Sequence, residues 1–332
     1  MATLTDIARK TRLSVSTVSV VLRGESKRFG ICAETEKSVR KAAAELGYVK
    51  NETARTMVSG KSRILGFISG QRSSVEYSGR LLSGALESAS LAGYALRVFY
   101  YNNDEPDRLC TTLLSQQIRG ILISGDLGRD RADRIVETCT SRAIHCVTVN
   151  LSNQRKGFGV VSDDAGGISE MVDLLYRGGH RKIAMFSSRN KTEYVQKRLN
   201  GYCAGMKKYG LPEKVFTPKR GEYPALSKVT ETGYTAVLCE SDYIAARLMQ
   251  QAYTAGIRVP EKISVCGFAG MQVADFAALP LTTVAQDFEG MGKKAASLLI
   301  SVLEKGKTPA DGNIENISLP TLIRIQKTTK GI

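Results

Sequence analysis

Residues 3–24 read TLTDIARKTRLSVSTVSVVLRG and predict two short helices joined by a tight turn. Thr3 and Asp6 have the spacing of a capping box, so the first helix is expected to begin directly after Thr3. Ser14 is a suitable N-cap for the second helix, which is expected to end near Gly24. The stretch therefore predicts a helical hairpin near the start of the chain.

The second helix is expected to have one packed face and one open face. At 100° per residue, Val18 and Val21 fall within one arc that can pack on the first helix, whereas Ser16, Ser19 and Val20 point away. This division is typical of a helix-turn-helix, whose second helix enters the major groove of DNA. A small helical hairpin with no nucleic-acid partner is the alternative.

The residues that follow favour the helix-turn-helix. Residues 34–46 predict a third helix with an apolar face, and residues 51–61 lead into an apolar strand over 64–69. The order, spacing and residue types resemble the LacI/GalR (lactose-repressor) family of bacterial transcriptional regulators. The resemblance covers essentially the whole chain and includes four further stretches: GGHRKIA (178–184), RLNGY (198–202), RVPEKIS (258–264) and PLTTV (280–284).

The resemblance implies an α/β fold with an N-terminal helix-turn-helix headpiece (1–49) and a hinge helix with linker (50–61). The remaining residues, 62–332, would form a two-lobed periplasmic-binding-protein-like core of doubly wound parallel sheets with an effector between the lobes. The chain is expected to cross between lobes near Val161, Asp287 and Leu319. The first lobe would then contain about 62–161 and 288–318, and the second about 162–287 and 319–332.

Hydrophobic patterning supports parallel sheets independently of the resemblance. Beyond residue 62, short apolar runs alternate with amphipathic stretches of ten or more residues, which indicates helices on both faces of a sheet. The predicted strands are 64–69, 95–99, 120–124, 146–150, 182–187, 236–239 and 263–268, and the predicted helices include 79–92, 167–177, 241–255 and 290–303. Ligands of such sheets bind beyond the carboxyl ends of the strands.

The charge balance points to an anionic partner. The 332 residues carry a formal net charge of +15. Residues 1–63 hold 13 Lys and Arg against 6 Asp and Glu, so +7 lies there and +8 on the rest. A basic headpiece is what the neutralisation of DNA phosphates requires. Basicity alone is weak evidence, and it counts because it accompanies the helical motif.

Cysteine usage and hydropathy favour a cytoplasmic protein without a cofactor. The seven cysteines show no CxxC pair and no ligand-like cluster with the two histidines, so buried reduced thiols are expected. No stretch approaches the roughly 18 apolar residues of a membrane span, and the first residues do not form a signal peptide.

Several short side chains are candidates for contacts with DNA. Thr5, Ser16, Thr17 and Ser19 are placed to fix the headpiece on phosphates, although Thr17 and Ser19 could simply solvate the helix. The resemblance implies that base edges are read by Val15, Ser16 and Val20. Because valine is apolar, we hypothesise that Val15 and Val20 contact the methyl groups of thymine.

Two positions depart from the family pattern in the headpiece. Arg12 stands in a turn where relatives often have glycine, so a left-handed backbone would cost about 1 kcal/mol there. Cys32 replaces the usual hydroxyl cap of the third helix, so that helix end is expected to be weakly capped.

Residues 51–59 match the hinge helix of the family. Nine residues are below the roughly 12–15 that form a helix unaided, so the segment is expected to fold on binding DNA. Met57 would be an apolar wedge in the minor groove, or would merely pack between the two hinges of a dimer. Ala54 would allow close approach, and Arg55 would reach a phosphate or base.

The resemblance also implies an effector pocket. Its expected members are Tyr77, Ser78, Asn150, Arg198, Ser241 and Gln286. Asn150 and Ala269 occupy positions where sugar-binding relatives have carboxylates. Since Arg198 is kept, we hypothesise an electropositive pocket for an anionic effector such as a sugar acid or a phosphorylated metabolite. A pocket that binds an ordinary sugar through other loop residues, or binds nothing, is the alternative.

The sequence therefore predicts a homodimeric regulator, most simply a repressor, that binds a pseudo-palindromic operator in double-stranded DNA and responds to a small molecule. A solute-binding protein of a transporter would share the core but should carry a signal peptide and no headpiece. An enzyme is disfavoured because no phosphate-binding glycine loop, metal-ligand set or nucleophile–base pair is evident. An architectural DNA-binding protein without effector control remains open.

Overall fold

The computed structural model describes residues 2–48, 62–70, 75–102, 105–155, 157–188, 192–218, 225–277, 279–308 and 314–331. The chain divides into two compact units, residues 1–61 and 62–332. The first unit is called the headpiece below, and the second is called the core. The predicted hinge helix, with Ala54, Arg55 and Met57, lies outside the described residues.

The described part of the headpiece, residues 2–48, forms three helices: α1 (Leu4–Thr11), α2 (Val15–Arg23) and α3 (Ala33–Glu45). The capping box is confirmed, because the Thr3 N–H donates to Asp6 Oδ2 at 2.9 Å and the Asp6 N–H donates to Thr3 Oγ1 at 3.3 Å. Ser14 Oγ accepts from the Thr17 N–H at 3.1 Å, so it caps α2 as predicted. Local side-chain chemistry thus sets both helix starts.

A small apolar core joins the three helices. Ile7 of α1, Val18 and Val21 of α2, and Val39 of α3 are all fully buried. The arc predicted for Val18 and Val21 is therefore the packed face of α2. About 2 kcal/mol of hydrophobic stabilisation per fully buried valine or isoleucine explains why such short helices hold together.

Val20 departs from the predicted faces. It is only 9% exposed, so the expectation that it points outward is wrong. The N–H groups of Gly24 and Glu25 both donate to the Val20 carbonyl, so the chain turns back at this end of α2. A helical wheel places residues relative to their own helix and takes no account of the segment that follows it.

The two departures from the family pattern behave as expected. Arg12 ends α1 in the left-handed region with φ 56°. Cys32 is the N-cap of α3 but makes no side-chain capping bond there, and its Sγ lies 3.1 Å from Thr35 Oγ1. Both positions therefore give up a small amount of local stability.

The core contains two lobes, each built on a six-stranded sheet, which confirms the α/β fold class. The first sheet has the order β11-β5-β4-β3-β1-β2 and the second β12-β10-β9-β8-β6-β7. The strands are β1 (Ile64–Gly70), β2 (Ala95–Tyr101), β3 (Gly120–Ser124), β4 (His145–Val149), β5 (Gly157–Ser162), β6 (Ile183–Phe186), β7 (Val215–Phe216), β8 (Ala236–Cys239), β9 (Ser264–Ala269), β10 (Thr282–Ala285), β11 (Ile314–Leu319) and β12 (Leu322–Arg324).

Helices separate these strands along the chain. They are α4 (Val75–Leu91), α5 (Pro106–Ser115), α6 (Arg129–Ser141), α7 (Asp164–Arg177), α8 (Glu193–Lys208), α9 (Leu226–Glu231), α10 (Asp242–Thr254), α11 (Val273–Phe276) and α12 (Phe288–Lys305). A single 3₁₀ turn, Gly125–Leu127, follows β3. Helices α4 and α12 approach each other closely at Gly84. A Cβ there would lie 2.0 Å from the Glu289 carbonyl oxygen, so only glycine fits.

The two sheets repeat one another, a relation that the sequence did not reveal. Position by position, β6 to β10 and β12 of the second sheet stand where β1 to β5 and β11 stand in the first. All neighbouring strands pair in parallel except β10 and β12, which are antiparallel. Strand β12 begins only three residues after β11 ends, so it enters its sheet in the opposite direction.

The chain passes between lobes three times. It leaves the first sheet after β5, returns after β10 into α12, and leaves again after β11. Asp163 Oδ1 accepts from the Gly166 N–H at 2.9 Å, and Asp287 Oδ1 accepts from the Gly290 N–H at 2.8 Å. The helix after each of the first two crossings therefore begins with the same aspartate cap. The Asp163 N–H donates to the Leu319 carbonyl, which ties the first crossing to the third.

The seven thiols are free. Five are buried, as predicted, whereas Cys32 is exposed and Cys203 is half-buried. No helix in the described ranges combines the length and apolarity that crossing a bilayer would demand.

Candidate DNA-binding surface and effector cleft

The start of α2 presents a cluster of hydroxyl groups. Ser14 Oγ lies 2.7 Å from Ser16 Oγ and 2.8 Å from Thr17 Oγ1. Val15 beside them is 44% exposed. Ser16 is exposed and Thr17 is partly buried, so this helix end offers polar donors and one apolar side chain to a partner. Short hydroxyl groups at a helix N-terminus are well suited to phosphate contacts.

The other predicted contacts of the headpiece differ in accessibility. Thr5 is exposed in the first turn of α1, and Ser19 is partly buried on α2. Val20 offers little surface because it is covered. The structure thus places Val15, Ser16 and Thr5 where a partner can reach them, and it limits what Val20 can contribute without a change at the end of α2.

The loop between α2 and α3 adds a basic and aromatic surface that the sequence analysis did not emphasise. Lys27 and Arg28 are exposed, and Phe29 is 55% exposed. The Arg28 guanidinium lies 5.6 Å from the centre of the Phe29 ring, within the range of a cation–π contact. The signal was present in the charge of the loop, but the exposure of Phe29 is visible only in the structure.

Four of the six predicted effector residues are connected by hydrogen bonds at the boundary of the lobes. Asn150 Nδ2 donates to the Tyr77 hydroxyl at 3.3 Å, and Gln286 Nε2 donates to Asn150 Oδ1 at 3.4 Å. Arg198 Nη2 donates to Gln286 Oε1 at 3.3 Å. Asn150 adopts φ 55°, a left-handed conformation that asparagine tolerates better than most residues. The four side chains link the first lobe to the second.

Arg198 is fully engaged by protein groups. It is 5% exposed, and its Nε donates to Asp164 Oδ2 at 2.8 Å while its Nη1 donates to the Glu240 carbonyl at 2.6 Å. Its guanidinium also lies 3.8 Å from the centre of the Phe268 ring. The premise that Arg198 brings an unmatched positive charge is therefore wrong. Asp164 balances it.

Tyr77 lies between apolar and charged neighbours. Its ring packs edge-on against Phe288 at 5.2 Å between centres. Burial, with a further contribution from the negative charge of Asp126, raises the pKa of the Tyr77 hydroxyl far above its usual range. The phenol therefore stays protonated and can donate as well as accept.

The other two predicted residues are Ser241 and Ser78. Ser241 Oγ accepts from the Ile244 N–H at 3.4 Å and so caps α10. Ser78 follows Tyr77 on α4 and is partly buried. The structure thus gives Ser241 a structural role that its family position did not indicate.

A cross-lobe contact between Arg129 and Glu193 was missed by the sequence analysis. Arg129 begins α6 in the first lobe and forms an ion pair with Glu193, which begins α8 in the second. Ser152 Oγ donates to Glu193 Oε1 at 2.7 Å. Although burial opposes the charge, hydrogen bonds from Lys197 and Ser152 hold the pKa of Glu193 below its usual range. Both partners are the first residues of helices, a position that points to the carboxyl edge of each sheet.

A second cross-lobe contact involves the loop after β9. The Gln272 N–H donates to Glu76 Oε1 at 2.8 Å, and Arg80 Nη1 donates to the Gly270 carbonyl at 3.1 Å. Arg80 is in turn fixed by Glu289, whose Oε1 accepts from its Nε at 2.8 Å. Glu76 and Arg80 of α4 therefore bind this loop from the first lobe.

Asp242 holds the same loop from within the second lobe. Its carboxylate accepts from the Met271 N–H at 2.7 Å and from Thr283 Oγ1 at 2.5 Å. Burial raises the pKa of Asp242 to about 6 despite these hydrogen bonds. Ala269, the last residue of β9 directly before the loop, has φ 106°, a strained conformation for a residue with a side chain. The fixed loop keeps Ala269 in that conformation.

No group of three or more His, Cys, Asp or Glu in the described ranges is placed to hold a metal ion. A groove of about 550 Å³ lies on the second lobe between α9 and the C-terminal half of α10, and its lining includes Leu226, Arg247 and Thr254. None of the predicted effector residues lines this groove.

Two family models match the chain in the two units described above. The model of bacterial regulatory proteins of the lacI family matches residues 3–51, and the model of the periplasmic binding protein-like domain matches residues 172–324. The lacI-family model covers the headpiece and the second model fits the core that the resemblance implied, so the two matches together support the predicted family.

Relatives of this chain match it over nearly its whole length. It is 25% identical over 322 residues to the HTH-type transcriptional repressor CytR of Escherichia coli K12, covering 91% of this chain and 90% of that protein. It is 26% identical over 333 residues to the ribose operon repressor of Haemophilus influenzae, covering 97% of each. Among solved structures, the lac repressor dimer bound to operator and the anti-inducer ONPF matches with a TM-score of 0.79 and 23% identity, covering 99% of each chain.

Proposed function

We propose that the protein is a transcriptional repressor that binds an operator in double-stranded DNA as a homodimer. A small effector bound between the lobes would control its affinity for that operator. The hydroxyl cluster at the start of α2 carries the proposal, because caps fix it on a small rigid core and leave Ser16 exposed. The names of CytR and of the ribose operon repressor support the repressor role.

In this proposal, residues 1–49 bind the major groove and residues 50–61 bind the minor groove. Thr5, Ser16, Thr17 and Ser19 hold phosphates, and Val15 contacts base edges. Ala54, Arg55 and Met57 are assigned to the minor groove on the family resemblance alone. Val20 would take part only if the segment after α2 moves, because Val20 is buried in the headpiece.

The core, residues 62–332, would hold the effector and the partner subunit. Tyr77, Asn150, Arg198 and Gln286 are the proposed effector residues, since their hydrogen bonds join the lobes at the edge where ligands of such sheets bind. The structural relative was solved as a dimer with both operator and a small molecule, which supports a dimer with two kinds of ligand. A ligand can change operator affinity only by binding one lobe arrangement better than the other.

The preference for an anionic effector stays a prediction. Because Asp164 balances Arg198, the described cleft offers no unmatched arginine for a carboxylate or phosphate. A carbohydrate-type effector needs no such charge, and its hydroxyl groups can both donate to and accept from the four side chains.

The DNA part is tested by selecting duplexes from a random pool with the full-length protein and measuring affinity by fluorescence anisotropy at several salt concentrations. The double variant Ser16→Ala with Thr17→Ala should lower affinity about tenfold, because two hydrogen bonds to phosphate are lost. Ser38→Ala, at an exposed position of α3, is the matched control and should change affinity little.

Failure to bind any duplex at low ionic strength would overturn the proposal. Tight binding that no small molecule alters would instead identify an architectural DNA-binding protein. A variant pair that binds as tightly as the wild type would show that the hydroxyl cluster only caps the helix.

A further inference from the structure

Asp126 is a partly buried carboxylate with one oxygen engaged and one oxygen that is buried and unmatched. Its Oδ2 accepts from the Gly70 N–H at 2.6 Å and from Ser69 Oγ at 3.1 Å. Its Oδ1 is shielded from solvent and has no hydrogen-bond partner within the described part of the chain. A buried acceptor without a donor is costly, so native structures rarely leave one unused.

The position of Asp126 is that of a ligand-binding residue. It lies in the 3₁₀ turn directly after β3, next to the carboxyl end of β1. Strands β5, β4, β3 and β1 are consecutive in the first sheet, so this edge also holds Asn150 and Ser162. Among the described residues, Ser162 Oγ is likewise buried without a hydrogen-bond partner at this edge. Two unmatched oxygens, Asp126 Oδ1 and Ser162 Oγ, therefore lie along the edge where ligands of such sheets bind.

The nearest cation along the chain does not neutralise Asp126. Arg129 follows in α6, and its guanidinium is directed to Ser152, Asp133 and Glu193. The negative charge of Asp126 contributes to the raised pKa of Tyr77, so that charge acts on one of the proposed effector residues. A carboxylate in this environment attracts a hydroxyl or ammonium group and repels an acid.

We propose that Asp126 determines effector specificity by accepting a hydrogen bond, through Oδ1, from a hydroxyl or ammonium group of the effector. The inference rests on the proposed function, because it names the ligand chemistry of the same cleft. It also opposes the earlier prediction of an anionic effector. A carboxylate or phosphate at this point of the ligand would be ionised and would have no hydrogen to donate to Asp126.

The test uses the full-length protein, with thermal shift and calorimetric titration against five compounds. These are D-ribose, D-glucose, D-glucosamine, D-gluconate and D-ribose 5-phosphate, so that neutral, cationic and anionic forms of related sugars are compared. A neutral or amino sugar should bind at least tenfold more tightly than its acidic counterpart. Tighter binding of glucosamine than of glucose would identify ammonium as the donor, and the reverse would identify hydroxyl.

Asp126→Asn should weaken the best ligand about tenfold or more, because the amide replaces the charged acceptor with a donor. Asp130→Asn removes the same charge from an exposed position of α6 and should leave affinity unchanged. If Asp126→Asn does not fold, the wild-type ranking of neutral against acidic sugars decides alone.

The inference is overturned if an acidic sugar binds more tightly than its neutral counterpart, if Asp126→Asn binds like the wild type, or if no compound binds. DNA affinity measured without sugar separates this result from failure of the proposed function. Wild-type protein that binds DNA but prefers acids refutes only the role of Asp126, whereas protein that binds no duplex refutes the repressor proposal itself.

Discussion

The headpiece surface and the cleft place their candidate side chains in opposite ways. In the headpiece, the hydroxyl groups of Ser16 and Thr17 contact Ser14, two and three residues away, and Ser16 is exposed. In the cleft, Gln286 contacts Arg198 and Asn150, which lie 88 and 136 residues away; Gln286 and Arg198 are buried and Asn150 is partly buried. The hydroxyl groups of the headpiece are positioned by neighbours on the same helix, whereas the cleft side chains are positioned by contacts between distant parts of the core.

This difference determines what a substitution can do. An exposed hydroxyl on α2 can be removed with little effect on folding, so its loss should appear in DNA affinity. A side chain of the cleft stabilises the core and is also a candidate ligand contact, so its loss should appear in both. The following substitutions test that distinction.

The largest effect is expected for Arg198→Met. It would leave the carboxylate of Asp164 buried without its cation, which costs about 3–5 kcal/mol in the free energy of unfolding. Urea unfolding of the core measures it. Arg324→Met is the matched control: it breaks an exposed ion pair with Asp275 and should cost less than about 1 kcal/mol. Equal losses in the two variants would contradict the comparison.

Asp242 should give the core a distinctive pH dependence. Burial raises the pKa of Asp242 to about 6, so the folded state holds its proton more tightly than the unfolded chain does. Its contribution to stability is therefore greatest near pH 4 and is lost as the pH rises through 6, by about 1–3 kcal/mol. The difference between wild type and Asp242→Asn in urea midpoints from pH 4 to pH 7.5 should follow this course. Parallel profiles would show that Asp242 does not titrate there.

In the headpiece, Ser14→Ala should cost about 1 kcal/mol, because α2 loses its N-cap. Faster hydrogen exchange of the α2 amides in the full-length protein is the expected readout, with the unfolding of the core unchanged. Ser38→Ala, at an exposed position of α3, should stay within about 0.5 kcal/mol of the wild type. A shift in the core transition would mean that the two units are not separable.

The smallest effect is a gain. Cys32→Ser should stabilise the headpiece by about 0.5–1 kcal/mol, because a hydroxyl can accept the capping bond that Cys32 does not make. Hydrogen exchange of the first turn of α3 would measure it. Cys32→Ala removes the thiol without adding an acceptor, so it should show no slowing. If both substitutions slow exchange equally, capping is not the cause.

The headpiece was the more predictable region, because its signals are local. The caps at Thr3 and Ser14 follow from residues within one turn of each other, whereas the left-handed Arg12 was expected from the family resemblance. Val20 was misplaced because a helical wheel considers only the helix itself, and Val20 is buried although it lies outside the arc of Val18 and Val21.

The core was predictable in its alternation of strands and helices but not in its pairings. Strands β1, β3 and β8 were found from apolar runs, whereas the edge strand β11 was missed because its residues alternate between partly buried and exposed. The Asp164–Arg198 pair could not be predicted, since nothing in the sequence links residues 34 apart. The family position of Arg198 suggested an electropositive pocket, and only the fold shows that Asp164 pairs with this arginine.

Gln286 lies beside the segments through which the chain crosses between the lobes. Gln286 immediately precedes Asp287, the cap at the second crossing, and the first and third crossings are tied by a hydrogen bond. In any rotation of one lobe against the other, points beside the pivot travel least and distant points travel furthest. Gln286 is therefore close to the hinge, so a small displacement of this residue by a ligand would correspond to a larger displacement at the far ends of the lobes.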